Sequence, residues 1–332
     1  MSEPRSQRSV VKGLLRGEQA ARPLLMPLTF SLAARLENLP LGSFATNPTK
    51  IVNALRQVCS SLRLDGVTCY FDPFLEVEAL GGKLEWTSEG ARLLGPVCPR
   101  IDELRSQWES PETIVNRGRI PVAADVLKRL RILLKDDAAL VIAVTGPIKL
   151  ATLLAGTPPE DVPPNEMIEF SAEITAAVSK HFVEAGADVV FLRETLPAGD
   201  SEAWQWWRAL LEPLINVVRF YEALPVLLLD ERVSARQTSK LLDESWECVT
   251  CLMASLATEL SSQGANQGLG VALPTTLFTS SLPGEAAIAF RKLIESVKPL
   301  VVTTTMDLPA STDLKQVARL LGEFRQVLSS AV

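Results

Sequence analysis

The sequence alternates eight apolar runs of strand length with longer amphipathic stretches. Runs rich in Val, Ile and Leu with little alternation are typical of strands buried on both faces, as in a parallel sheet. Eight repeats of strand and helix predict an α/β protein with a closed (β/α)8 or TIM barrel. An open doubly wound sheet is the alternative, because the sixth run is the weakest. The predicted strands are 24–30, 66–72, 138–145, 188–192, 225–230, 248–253, 269–273 and 299–305.

The connections predict a single domain over residues 1–332. Amphipathic patterns predict helices at 48–64, 120–135, 165–185 and 313–328, and Asn47-Pro48 is a typical helix start. The segment 81–119 carries Gly, Pro, Trp and mixed charge without a clear period. It is therefore interpreted as an excursion between the second strand and its helix.

Composition excludes several classes of partner. The formal net charge is -6, so neither nucleic acid nor an anionic membrane surface is an expected partner. No apolar run reaches the roughly 20 residues that cross a bilayer, and residues 1–22 lack the apolar core of a signal peptide. Five cysteines in 332 residues do not form a disulfide framework, which favours a cytoplasmic protein.

Polar residues follow the predicted strands where barrel enzymes place their active sites. Carboxylates there can act as acids or bases when burial raises their pKa, and arginines can clamp an anionic substrate. A purely structural ring of ion pairs remains an open alternative. The candidate catalytic residues are Asp72, Glu76, Glu194 and Asp230. The candidate substrate-binding residues are Ser31, Arg35, Thr145, Arg193, Arg232 and Asp307.

Other motifs are interpreted as structural. Cys248 and Cys251 form a single pair whose side chains would face opposite sides of a strand, so they are predicted to be core thiols rather than metal ligands. His181, the only histidine, lies before a predicted strand, at the wrong end for catalysis. Gly146-Pro147 is interpreted as a tight turn from strand to helix.

Three tryptophans crowd one predicted helix, at positions 204, 206 and 207. They could cover the barrel mouth, stack on a flat ligand or form an oligomer interface. Core or interface packing is the preferred interpretation, and a homodimer is therefore one expected assembly.

Several segments resemble the uroporphyrinogen decarboxylase superfamily, and they occur in that superfamily's order along nearly the whole chain. Two of them are the second-strand segment Phe71-Asp72-Pro73-Phe74-Leu75-Glu76 and the turn Val144-Thr145-Gly146-Pro147. The others are Leu15-Arg16-Gly17-Glu18, Phe44-Ala45-Thr46-Asn47-Pro48 and Glu184-Ala185-Gly186-Ala187-Asp188. The resemblance implies a (β/α)8 barrel with a deep cleft at the carboxyl ends of its strands.

One chemistry of this superfamily is decarboxylation of uroporphyrinogen, which needs no cofactor. The resemblance implies that Asp72 matches the aspartate that steers the pyrrole nitrogens. The decarboxylases carry two arginines near the first strand, whereas this chain keeps only Arg35 and has Ser31 at the other position. This loss argues against true uroporphyrinogen decarboxylation.

The other chemistry is methyl transfer to or from a corrinoid, often with a zinc-activated thiol. The Thr-Gly-Pro turn and the Glu-rich segment after the second strand resemble this branch more closely. Its zinc ligands are missing: Asp230-Glu231-Arg232 replaces His-x-Cys, and Thr305-Met306-Asp307 replaces a cysteine. A hard metal held by Asp230, Glu231 and Asp307 is a further option, ranked below a metal-free site.

The leading hypothesis is an atypical methyltransferase that moves a methyl group from a small donor to a corrinoid. In this hypothesis no cofactor is tightly bound, and a partner protein supplies the corrinoid. The alternatives are a decarboxylase of a tetrapyrrole or other polycarboxylic acid, and a barrel that binds a ligand without catalysis.

Overall fold

The computed structural model describes residues 6–87, 90–98, 100–106, 110–158, 161–197, 201–229, 248–262, 268–280 and 283–330. Eight parallel strands form one sheet that curls into a nearly closed barrel. They are β1 (Leu24–Leu25), β2 (Gly66–Tyr70), β5 (Ala139–Thr145), β6 (Val189–Glu194), β7 (Leu224–Leu229), β8 (Val249–Met253), β9 (Leu269–Leu273) and β10 (Val301–Thr304). Their order is β1-β10-β9-β8-β7-β6-β5-β2, so the predicted (β/α)8 barrel is confirmed.

Helices surround the sheet and connect successive strands. The first seven are α1 (Gln7–Leu15), α2 (Phe30–Leu36), α3 (Leu41–Phe44), α4 (Pro48–Leu62), α5 (Leu75–Ala79), α6 (Ile101–Ser106) and α7 (Ile120–Leu134). The remaining described helices are α8 (Pro147–Ala155), α9 (Asn165–Glu184), α10 (Ser201–Phe220), α11 (Ala254–Ser262), α12 (Thr276–Ser280), α13 (Pro283–Val297) and α14 (Leu314–Ser330). None of the described helices has the length and apolar character that crossing a membrane requires.

The start of α4 shows how local sequence sets an element boundary. The Asn47 side chain accepts a hydrogen bond from the Lys50 amide, and Pro48 occupies the first turn, where no intrahelical N–H is needed. Arg63 ends the helix in the left-handed region, at φ 48°. The predicted Asn-Pro start is therefore confirmed, and the helix ends two residues before the predicted residue 64.

Asp65 closes the barrel between β1 and β2. Its Oδ2 accepts from the Leu25 amide at 2.8 Å, and its own amide donates to the Leu25 carbonyl. Arg22 donates to both carboxylate oxygens, at 2.6 and 2.8 Å. A side chain thus supplies the hydrogen bonds that link the two strands at this seam.

The excursion after β2 contains structure that the sequence did not predict. An antiparallel hairpin of β3 (Leu84–Thr87) and β4 (Gly90–Leu93) is followed by α6 and a 3-10 helix, Pro111–Asn116. Trp86 packs close to α3, where a Cβ added at Gly42 would lie 2.8 Å from the indole ring. The predicted excursion before α7 is confirmed, and the hairpin is new.

Three predicted strands were wrong by two or more residues at the edge that matters for function. The second ends at Tyr70, two residues before the predicted end. The first strand covers only residues 24–25, because Phe30 already begins α2. The fourth continues to Glu194, two residues beyond the prediction. The candidate Arg193 and Glu194 therefore lie within β6, on the last two positions of the strand.

Candidate active site

Arg193 shows which face of the sheet lines the barrel lumen. Its guanidinium lies 4.9 Å from the centre of the Phe71 ring, which follows β2, and its Nη2 is 3.8 Å from the sulfur of Met306, which follows β10. Neither β2 nor β10 is a neighbour of β6 in the sheet, so the side chain must reach across the lumen. Arg193 is 5% exposed, and its guanidinium meets Phe71 and Met306 at the mouth of the barrel, the end formed by the carboxyl ends of the strands.

Glu76 is a buried carboxyl held by Thr145, the last residue of β5. The Thr145 amide donates to Oε1 at 3.1 Å, and the Thr145 hydroxyl is 2.8 Å from Oε2. Glu76 is 1% exposed, and this burial raises its pKa, while the two hydrogen bonds and the charge of Arg193 act in the opposite direction. The structure thus brings the candidates Glu76, Thr145 and Arg193 together.

Asp72 lies in an ion-pair cluster built around Arg119. Its Oδ2 accepts from Nη1 of Arg119 at 2.6 Å, and its Oδ1 accepts from the Phe74 amide at 2.8 Å. Arg119 also donates to Glu78 at 2.7 Å and to the Tyr70 hydroxyl at 3.1 Å. The Trp86 ring of the hairpin stacks on its guanidinium, with 4.7 Å to the ring centre. Asp72 is therefore a paired and oriented carboxylate.

The carboxyl of Glu194 caps α8. It accepts from the amides of Ile148, Lys149 and Thr195 at 3.1, 3.1 and 2.8 Å. Complete burial raises its pKa to about 7, against the lowering effect of these amides. Gly146 makes this approach possible, because a Cβ there would lie 2.6 Å from Oε2. The Gly-Pro sequence is indeed the predicted strand-to-helix turn.

Asp307 caps α2 on the opposite side of the mouth. It accepts from the amides of Phe30 and Ser31, each at 2.7 Å. Burial of its carboxyl raises the pKa to about 6, although bonds to Ser31 and Phe30 lower it. The candidates Ser31 and Asp307 are therefore brought together by a helix start.

Arg35 is exposed at the end of α2. It donates to the carbonyls of Ser311 and Thr312, at 3.1 and 2.6 Å. These bonds tie α2 to the loop after β10. Its predicted role in substrate binding remains a prediction, and the structure shows only this tethering role.

Two candidates lie outside the described residues. Asp230, a predicted catalytic residue, and Arg232, a predicted substrate-binding residue, both fall in the segment after β7, together with Glu231. Within the described part of the chain, no three His, Cys, Asp or Glu side chains converge as metal ligands would. The hard-metal hypothesis needs the undescribed pair and stays a prediction.

The motifs interpreted as structural are mostly in the core. Cys248 and Cys251 are buried, and burial raises the pKa of both thiols. Trp204 and Trp207 are buried with their rings 5.8 Å apart, edge to face, and Trp206 is partly buried. Core packing accounts for these two rings, and an oligomer interface remains a prediction.

Arg119 and Phe71 are the residues of the mouth that sequence reasoning missed. Arg119 is separated from Asp72 by 47 positions and lies in the aperiodic excursion, so no spacing rule connects them. The useful signal was its position, directly before the amphipathic helix 120–134, where the chain must return to the barrel.

The nearly closed barrel of eight parallel strands defines a TIM-barrel protein. Its carboxyls, hydroxyls and an arginine lie at the carboxyl ends of the strands, where TIM-barrel enzymes place their active sites. The sequence model of the family described as "Uroporphyrinogen decarboxylase (URO-D)" matches residues 8–228, which is more than half of the chain. The chain belongs to the uroporphyrinogen decarboxylase family.

Solved structures resemble this fold at low sequence identity. A "methyltransferase from Methanosarcina mazei" has a TM-score of 0.79 at 17% identity, and the match covers 97% of this chain and 99% of that one. A B12-independent methionine synthase from Shewanella sp. W3-18-1 has a TM-score of 0.54 at 15% identity, covering 85% and 88% of the two chains. A search of curated proteins found no significant match. These likenesses show the fold.

Proposed function

We propose that this chain is a methyltransferase that takes a methyl group from a small donor and passes it to a corrinoid on a partner protein. The observation that carries the proposal is Glu76, a buried carboxyl with a raised pKa at the mouth of the barrel. Methyl transfer from oxygen, nitrogen or sulfur leaves a basic atom behind, and a nearby acid with a raised pKa can give that atom a proton.

Thr145 can hold the Glu76 side chain both before and after Glu76 gives up its proton. A hydroxyl can donate to the carboxylate or accept from the carboxylic acid, so the 2.8 Å contact is satisfied in either protonation state. The Thr145 amide holds the other oxygen and fixes the orientation of the group. In the proposed step Glu76 would give its proton to the donor atom as the bond from the methyl carbon to that atom breaks, and the methyl group would leave for the acceptor.

The corrinoid would supply the nucleophile that accepts the methyl group. The chain's own residues would bind the donor, hold the proton and keep water out. Arg193 and Phe71 would form one wall of the donor site, and Asp72 and Arg119 would keep the neighbouring segment in place. A solved structure of the same fold is a "methyltransferase from Methanosarcina mazei", so this fold accommodates methyl transfer.

Decarboxylation of a polycarboxylic acid is the second candidate, because Asp72 lies where the family resemblance places a substrate-orienting aspartate. Several cations free to hold carboxylates would favour it. Among the described arginines of the mouth, Arg119 pairs with Asp72 and Glu78, and Arg35 bonds two backbone carbonyls. Arg193 lies over the Phe71 ring and near the sulfur of Met306. Because these arginines already contact protein groups, methyl transfer is the preferred proposal.

The test is a spectroscopic assay with free cob(I)alamin as acceptor and a panel of methanol, methyl ethers, methylamines and methyl thioethers as donors. We expect methylcobalamin to form with at least one donor, and Glu76→Gln to lower its rate at least about 100-fold, because an amide cannot give up a proton. The matched control is Glu85→Gln, on the exposed face of the hairpin, which should keep the wild-type rate.

The pH dependence of turnover also tests whether Glu76 acts as an acid. A general acid works while protonated, so turnover should be constant at low pH and fall as pH rises through the raised pKa of Glu76. Carbon dioxide release from uroporphyrinogen without methyl transfer would support the decarboxylase instead. Ligand binding without either reaction would support a non-catalytic barrel.

A further inference from the structure

Two buried hydroxyls at the mouth make no hydrogen bond within the described part of the chain. Thr29 and Thr303 are 0% and 1% exposed, and within the described part of the chain neither Oγ1 has a hydrogen-bond partner. Leaving a buried hydroxyl without a partner has a free-energy cost of about 1–3 kcal/mol. Where such a group lies at the end of the barrel that holds active sites, a ligand that completes its hydrogen bond is one explanation for it.

Register places Thr303 on the lumen face of the barrel. Arg193, which crosses the lumen, pairs with Leu228, Leu228 with Cys251, Cys251 with Gly270, and Gly270 with Val301. Paired residues of neighbouring strands point to the same face, and so do residues two apart on one strand. Val301 and Thr303 therefore share the face of Arg193.

Thr29 lies at the same edge, at the start of α2. A threonine at a helix N-terminus usually accepts a hydrogen bond from an amide of the first turn, but the Thr29 side chain does not. Asp307 has taken that role, with bonds to the amides of Phe30 and Ser31. The chain thus keeps a capping-type residue at this position and leaves its hydroxyl for another partner.

We propose that Thr29 and Thr303 bind the donor substrate, and that this substrate carries its methyl group on oxygen, as a methyl ether or an alcohol does. An ether or alcohol oxygen accepts from a threonine hydroxyl, and a methylammonium N–H could donate to the same hydroxyl. The preference for oxygen therefore rests on the charges of the mouth. The inference rests on the proposed function, whose site it makes specific.

The charges of the mouth favour the same class of substrate. Arg193 brings a positive charge into the lumen, and Arg119 is buried nearby with Asp72 and Glu78 as its counter-charges. Burial raises the pKa of Glu76 and Glu194, which reduces the negative charge available to a cation. A methylammonium ion would therefore meet an arginine and carboxyls that resist ionisation.

A binding experiment tests the inference without requiring turnover. The probes are 2-methoxyethanol and N-methylethanolamine, which differ only in the atom that carries the methyl group, and binding is followed by ligand-observed NMR with the full chain at pH 7. We expect 2-methoxyethanol to bind at least about tenfold more tightly. Thr303→Val and Thr29→Val should each weaken it by roughly threefold to tenfold, as the loss of one ligand hydrogen bond does.

The variants also separate binding from folding. Valine is nearly isosteric with threonine, so both variants should melt at the wild-type temperature or above it, because an unpartnered buried hydroxyl is removed. Ser179→Ala is the matched control: its hydroxyl is also buried and without a partner in the described residues, but it lies on α9 outside the barrel. This variant should leave binding unchanged.

Each outcome decides the proposal. Weaker binding in both threonine variants at unchanged stability supports it, even if the cob(I)alamin assay shows no turnover and methyl transfer itself fails. Unchanged binding in Thr303→Val and Thr29→Val, preference for N-methylethanolamine, or no binding of either probe would overturn it.

Discussion

Buried carboxylates have different partners at the two ends of the barrel. The base is the end formed by the amino ends of the strands, and the mouth is the end formed by their carboxyl ends. At the base, Asp65 is held by Arg22 and the Leu25 amide. Asp188, which precedes β6, accepts from Arg131, from Arg8 at 3.0 Å and from the Leu140 amide at 2.8 Å. Each of these carboxylates thus has an arginine that balances its charge and an amide of the sheet that fixes its position.

At the mouth, Glu76, Glu194 and Asp307 accept from amides and hydroxyls, and among the described residues no salt bridge to them is found. Burial raises the pKa of all three, to about 7 for Glu194 and about 6 for Asp307. Asp72 is the exception, because Arg119 pairs with it. The contrast indicates that the base uses charge for structure, whereas the mouth keeps carboxyls that can exchange protons.

Loss of the Asp188 ion pairs at the base should have the greatest effect on stability. Asp188→Asn should lower the free energy of unfolding by about 3–5 kcal/mol, because Arg131 and Arg8 lose their buried counter-charge. Urea denaturation followed by circular dichroism at pH 7 measures it. The control, Asp125→Asn, removes an exposed pair with Arg129 and should cost less than about 1 kcal/mol. Equal losses would contradict a structural role for the buried base pair.

The second prediction concerns the pH dependence of stability at the mouth. The pKa of Glu194 in the folded protein is about 7, above its ordinary value of 4.5, so its stabilising contribution is complete below pH 4.5 and is lost as pH rises through 7. This loss amounts to about 3 kcal/mol. Glu194→Gln has no such titration. The stability of wild type relative to the variant should therefore fall by about 3 kcal/mol between pH 4 and pH 8 in urea denaturation, and a constant difference would refute the prediction.

A smaller effect is expected from the turn that lets Glu194 cap its helix. In Gly146→Ala the new methyl would lie 2.6 Å from Oε2 of Glu194 and 3.0 Å from the Arg193 carbonyl. Displacing the carboxyl should cost about 1–3 kcal/mol in the same denaturation assay. Gly322→Ala in α14 meets nothing within 4 Å, so it should be neutral or stabilise by about 0.5–1 kcal/mol. Similar behaviour of the two variants would show that the turn tolerates a side chain.

The strands of the barrel could be predicted from the sequence, because a buried strand leaves a local pattern of apolar residues. The apolar runs gave all eight strands, and the weak sixth run is β8, whose bounds differ from the prediction by one residue. The first strand was predicted too long, because Leu28, Thr29 and Phe30 are apolar or β-branched and also fully buried. Burial at a strand end and burial at a helix start leave the same apolar signal in the sequence.

The residues of the mouth could be predicted from the sequence only in part. Asp72, Glu76 and Thr145 follow from strand ends and from the family resemblance, and the structure places them at that edge. The capping roles of Glu194 and Asp307 depend on amides 45 and 277 positions away in sequence, so no local pattern encodes them. The same holds for Arg119 and for the unpartnered hydroxyls of Thr29 and Thr303. Asp230 and Arg232 remain predictions.

Burial raises the pKa of Glu76 above that of an ordinary glutamate, and the proposed acid role of Glu76 depends on this shift. The most direct test is a 13C NMR titration of protein labelled at the glutamate carboxyl carbon, with the Glu76 signal assigned by its absence in Glu76→Gln. We expect this signal to titrate above the ordinary glutamate range, because burial outweighs the bonds from Thr145. A Glu76 signal that titrates within or below that range would contradict the proposed acid role.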